Sequence, residues 1–129
     1  MRLLLARVLI GLVLFFNVQC AMLFLWKPEV YAPSFELADA PGIGLMRGLG
    51  LLFLMWNVPY VVATFNPLKH RISLYEAIAM QAIGLAGEIF IMLTLPTALS
   101  IAHSTLIRFI AFDGGGLIAL ILAAWITRK

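Results

Sequence analysis

Hydrophobic positions along the chain gather into four long apolar stretches parted by three short polar connections. A helix needs about 20 apolar residues to cross a hydrocarbon core of roughly 30 Å. The stretches fall at 3–26, 41–65, 73–95 and 103–127, and each reaches that length. They predict an all-α integral membrane four-helix bundle, with 1–129 as a single domain.

The punctuation between the stretches agrees. Pro28 and Pro33 prevent the first from continuing, and Pro41 suits the opening turn of the second. Asn66-Pro67 closes the second and Pro96 closes the third. Pro59 predicts a kink that frees a backbone carbonyl near Met55. Ser73 with Glu76 reads as a capping box opening the third span. The connector from Lys27 to Ala40 carries Tyr31 and Phe35, rings suited to a lipid–water interface, and room for a short turn of helix.

Composition places these helices in lipid rather than water. Hydrophobic residues make up 64% of the chain and charged ones 12%, with mean hydropathy +1.06. A soluble domain carries about 25% charged residues. The first stretch is longer than a signal-peptide core and has no small-residue cleavage site after it, so it reads as a retained helix. Cys20 is the sole cysteine; it cannot form an internal disulfide and reads as a small buried hydrophobe.

The net charge of +3 does not signal nucleic acid, because basic residues sit at the ends of spans and form no continuous patch. Arg2, Arg7, Lys69, Arg71, Arg128 and Lys129 fall on one side, whereas Lys27 lies beside Glu29, Glu36 and Asp39 on the other. The positive-inside rule then puts both termini in the cytoplasm.

Ionisable and amide side chains inside the spans are the candidate chemistry. Counted at ~1.5 Å per residue, Asn17, Gln19, Arg47, Glu88, Arg108 and Asp113 fall in one layer of the outer half. Two cations and two anions balance there. The expected pairs are Glu88 with Arg108 or Arg47, and Asp113 with Arg47, with Asn17 filling remaining hydrogen-bond sites. Asn57 and Gln81 form a deeper neutral layer. Gln81 and Glu88 are seven apart and share a face of the third span, with Gly84 between them. These residues are either interhelical glue or the lining of a polar pocket that binds or relays something.

Glycines carry a weaker signal. Gly44 and Gly48 form a GxxxG, with Gly50 close by and Gly84 and Gly87 on the third span, and these small residues are expected to permit close packing within the bundle rather than to form a dimer face. The run Gly114-Gly115-Gly116 is expected to stay helical, the alternative being a break that lets Asp113 cap a half-helix.

Familiar catalytic constellations are missing. There is no CxxC, and His70 and His103 fall at opposite faces where they cannot share a haem or a zinc. Ser100, Ser104 and Thr105 near His103 have no third orienting group. No metal site is expected, and a non-enzymatic role is favoured.

One resemblance adds to this reading. Arg7 followed by Gly11-Leu12-Val13-Leu14-Phe15, a proline-containing outer segment, and Arg47-Gly48-Leu49-Gly50-Leu51-Leu52 on the second helix resemble the DoxX-like group of small four-helix bacterial membrane proteins. The resemblance covers the first half of the chain. It departs at Trp56-Asn57-Val58-Pro59-Tyr60 and at the glycine run. It implies a bacterial inner-membrane location and, for some members, links to quinone-dependent oxidation or redox-stress complexes.

Two functions follow as expectations. The first is a non-enzymatic bundle that binds a lipid-like or quinone-like molecule, or acts as an accessory subunit beside a membrane-protein partner or a second copy. The alternative is a small transporter or proton relay centred on Glu88, opposed by the counter-ions expected at Arg47 and Arg108.

Overall fold

The computed structural model describes residues 1–128, so the orientation signal at Lys129 lies outside it. Helix α1 spans Arg2–Trp26 and is followed by a short α2, Pro28–Tyr31, and a 3₁₀ turn, Ala32–Phe35. Helices α3, Ala40–Trp56, and α4, Val58–Phe65, together make the second span. Helix α5 covers Arg71–Thr94 and α6 covers Ser100–Ile126. Among the described residues, four helical spans are long and apolar enough to cross a membrane.

Each span presents one narrow seam to the others. On α1 the inward residues are Ala6, Ile10, Val13, Ala21 and Phe24. On α3 they are Gly42, Met46 and Gly50. Leu74, Ala77 and Gln81 serve α5, and Ala102, Thr105, Leu106, Gly116, Leu120 and Ala123 serve α6. Steps of three and four keep such residues on one face of a helix. Only 11–22% of each span's most apolar window is buried, so most apolar side chains point outward. In water that surface would be an aggregation hazard; in lipid it is ordinary.

Local chemistry fixes the helix ends. The Asp39 carboxylate accepts the Gly42 backbone N–H at 2.8 Å, with Pro41 in the first turn of α3. The expected capping box is not formed. Helix α5 starts at Arg71, two residues before Ser73, and receives no side-chain cap. The basic residues cap the opposite ends of helices. The Arg7 Nε donates to the Thr64 carbonyl at 3.1 Å, and Arg71 donates to the Thr127 carbonyl at 2.7 Å. These guanidinium groups meet carbonyls at the negative ends of α4 and α6.

The second span breaks at Asn57, two residues before Pro59. Proline cannot donate to the helical ladder and crowds the preceding turn. The Asn57 side-chain amide donates to the Phe53 carbonyl at 2.6 Å, supplying a bond within the break. Helix α6 is continuous through its three glycines. The connector contains the expected short helical turn and is held to α6 by Thr105, whose hydroxyl donates to the Ser34 carbonyl at 2.7 Å.

The break changes the bundle's shape along its length. Helix α1 packs on α3, α4 and α6, and α5 packs on α6 and α4. Helices α3 and α5 form no comparable packed interface. The bundle is therefore closed where α4 meets α5 and parted where α3 should meet α5. Tyr60, Leu74, Leu120 and their neighbours fill the closed half.

Candidate functional site

A cavity of about 370 Å³ occupies the parted region. Asn17 and Cys20 reach it from α1, and Phe53 and Trp56 from α3. Asn57 and Tyr60 line it at the helix break. Gln81, Gly84, Gly87 and Glu88 come from α5, and Phe109, Phe112 and Asp113 from α6.

The sequence positions these groups through its steps of three and four. Gln81, Gly84 and Glu88 continue the α5 seam, and Phe109 and Asp113 continue the α6 seam. Glycine matters at two of these contacts. A Cβ on Gly84 would stand 3.3 Å from Asp113 Oδ2, and one on Gly116 would stand 2.9 Å from Gln81 Nε2. Small residues therefore let polar side chains lie between α5 and α6.

A chain of hydrogen bonds forms the cavity's polar wall. The Tyr60 hydroxyl donates to Gln81 Oε1 at 2.6 Å. Gln81 Nε2 donates to Asp113 Oδ1 at 3.0 Å and to the Asp113 carbonyl at 3.3 Å. Glu88, one turn beyond Gly84 on α5, lines the same cavity as Asp113. The deeper amide layer and the acidic layer expected from the sequence thus meet in a single network.

Two buried side-chain atoms among the described residues have no hydrogen-bond partner: Asn57 Oδ1 and Glu88 Oε2. Asn57 is 4% exposed, and its amide nitrogen is engaged by the Phe53 carbonyl. Orphaned buried acceptors are uncommon because each forfeits hydration without replacement.

The ion pairs expected from the sequence are corrected. Arg47 and Arg108 are exposed, and neither lines the cavity. Arg108 donates instead to the Thr105 hydroxyl at 3.2 Å. The reason is angular. Arg47 follows the inward-facing Met46 by one residue, about 100° round the helix. Arg108 lies five residues from Asp113, about 140° away, so both cannot face the interior of an undistorted helix. Gln19 is likewise exposed. Of the seven candidates, Asn17, Asn57, Gln81, Glu88 and Asp113 converge and the two arginines do not.

The glycine expectation also changes. A Cβ on Gly44 or Gly48 would meet nothing within 4 Å, whereas one on Gly50 would stand 2.8 Å from the Ala21 carbonyl oxygen. Gly50, not the GxxxG, brings α3 against α1.

Sequence reading missed Tyr60 as a member of the site. Its signal was the spacing of Asn57, Tyr60 and Thr64, which are three and four apart on one face. Cys20, read as buried, is half-buried and borders the cavity. Among the described residues, no group of three or more His, Cys, Asp or Glu is arranged to hold a metal ion.

Comparisons with known proteins found no matching family model, no similar curated protein and no similar solved structure. The fold and site define a class by their own geometry: an all-helical protein with four apolar, membrane-length spans around a polar-walled cavity.

Proposed function

We propose that this chain is a non-enzymatic membrane protein that takes an amphiphilic small molecule from the bilayer into the cavity among its helices. One observation carries the reading: the cavity lies where α3 and α5 fail to pack, with the exposed residues Trp56 and Gly87 on its lining. A guest's apolar chain fits among Phe53, Trp56 and Ile91, while its head meets the polar wall of Tyr60, Gln81, Asp113 and Glu88. Pockets of this kind combine a mainly apolar lining with a few convergent polar groups. The DoxX-like resemblance and its inner-membrane setting belong to the same proposal, as does a role beside a membrane-protein partner or second copy.

Gly87 offers the test. A Cβ there meets nothing within 4 Å, so the backbone at this position leaves room for a side chain to start toward the opening. Trp26 and Trp125 are replaced by Phe, leaving Trp56 as the reporter, and the chain is reconstituted in nanodiscs. Titration with decanol and decylamine is expected to change Trp56 fluorescence saturably. Gly87→Trp supplies a second indole, so its binding is read by calorimetry and is expected to weaken about tenfold with the thermal midpoint held. No saturable binding of either probe, or unchanged affinity in Gly87→Trp, would reject the cavity as a guest site.

A second reading gains from the same structure. The objection to a proton relay at Glu88 was its expected arginine counter-ions, and neither arginine reaches the cavity. Proteoliposomes carrying Glu88→Gln address this directly. Proton flux and proton-driven uptake equal to those of the unaltered chain would dismiss the relay.

A further inference from the structure

The chemistry of the cavity narrows its guest. Both orphaned buried atoms, Asn57 Oδ1 and Glu88 Oε2, are hydrogen-bond acceptors. The Tyr60 hydroxyl already donates to Gln81, and Gln81 already donates to Asp113. Among the described residues, no arginine, lysine or histidine lines the cavity. What the lining has in surplus is unpartnered acceptors and acidic groups; what it lacks is a basic side chain to meet them.

We infer that the head group this cavity takes is a protonated aliphatic amine, whose N–H groups donate to Asn57 Oδ1 and to the Glu88–Asp113 carboxyl pair. This rests on the reading of the cavity as a guest site and names the class of guest. Three observations support it independently of cavity size. Asn57 is held with its nitrogen on the Phe53 carbonyl, which leaves the oxygen as its unpartnered face. The lining carries two carboxyl groups and, among the described residues, no basic side chain, so a cation brings the counter-charge that a buried carboxylate lacks there. Phe53, Trp56, Phe109 and Phe112 surround the space with aromatic surface, which favours both a cation and its apolar body.

Competing head groups fit less well. A carboxylate or phosphate brings like charge toward Glu88 and Asp113. A quinone's carbonyls can accept from Asn17 or Trp56, but they leave Asn57 Oδ1 and Glu88 Oε2 without a donor. A quaternary ammonium has the charge but no N–H for Asn57 Oδ1 or Glu88 Oε2.

Titration in nanodiscs with decylamine, decanol and decyltrimethylammonium separates charge from hydrogen bonding at constant chain length. Decylamine is expected to bind at least tenfold more tightly than decanol and several-fold more tightly than decyltrimethylammonium. Replacing Glu88→Gln and Asp113→Asn together, which keeps the shape and removes both carboxyl groups, is expected to erase the preference for decylamine over decanol while decanol binding persists. Equal affinity for decylamine and decanol on the unaltered chain overturns the inference, whether or not that double variant folds. Equal affinity for decyltrimethylammonium overturns it as well, because N–H donation is then irrelevant. In either case saturable decanol binding leaves the guest-site reading standing; loss of all binding removes both.

Discussion

Gln81 lies across Gly116: a Cβ at that glycine would stand 2.9 Å from the Gln81 amide nitrogen and 3.4 Å from Val13 Cγ1. The same nitrogen reaches on to Asp113 Oδ1 at 3.0 Å. The contact between α5 and α6 therefore depends on a missing side chain. Gly116→Ala should push the Gln81 amide off Asp113 and lower stability by about 1–2 kcal/mol. Gly114→Ala, where nothing lies within 4 Å, should leave stability unchanged or raise it by up to about 1 kcal/mol through helix propensity. Thermal unfolding in detergent compares the two. Equal effects would mean that the glycine run acts as a whole and not through Gly116.

A parallel contrast applies to α3. Gly50 faces the Ala21 carbonyl oxygen at 2.8 Å and Leu25 Cγ at 2.9 Å from an added Cβ. Backbone cannot yield as a side chain tip does, so Gly50→Ala should separate α1 from α3 and lose about 1–3 kcal/mol. Gly44→Ala and Gly48→Ala should be close to neutral, as both positions are open. Denaturant titration of the three variants in mixed micelles checks this. A loss confined to Gly44 or Gly48 would show that the GxxxG is buried against a second copy in the membrane.

The arginines give a prediction opposite to the one their depth alone implies. Arg47 and Arg108 are exposed and support no buried anion, so Arg47→Leu and Arg108→Leu should each change stability by no more than about 0.5 kcal/mol. Had either paired with Glu88 or Asp113 in the interior, its loss would cost about 3–5 kcal/mol. Melting curves of the two variants decide between these values. A large loss in Arg108→Leu that Glu88→Leu restores would reinstate the ion pair.

These cases explain what the sequence made legible. Span number, approximate ends and the depth of each polar residue follow from hydropathy and the 1.5 Å rise, and both are axial quantities. The facing of a residue is angular. On a soluble helix an apolar stripe reveals it, but here lipid-facing and buried surfaces are equally apolar, so that signal is weak. The seven-residue spacing of Gln81 and Glu88 is itself angular information and puts both on the cavity face of α5. Depth alone places Arg47 and Arg108 in the interior, whereas their angular positions turn them outward. The parting of α3 from α5 was only half legible. Pro59 announced an irregularity, but which neighbour each half-helix would meet depends on tertiary packing.

The polar wall itself makes the last prediction. Tyr60 is 3% exposed, and its hydroxyl is the donor that satisfies Gln81 Oε1. Tyr60→Phe keeps the ring and removes only that donor. The bare cost of an unsatisfied buried acceptor is about 1–3 kcal/mol. Interhelical hydrogen bonds in membranes average nearer 0.6 kcal/mol, because the unfolded chain in lipid also finds partners. The lower figure should govern, so Tyr60→Phe is expected to cost about 0.6 kcal/mol. Gln81→Leu should cost more, since it also strips Asp113 Oδ1 of its donor and leaves the carboxyl pair unanchored. In the double variant the Tyr60 contribution should vanish, giving a coupling of about 0.6 kcal/mol in a double-mutant cycle. Full additivity would mean that Tyr60 and Gln81 act separately, and that the network from the helix break to the carboxyl pair is not a connected unit.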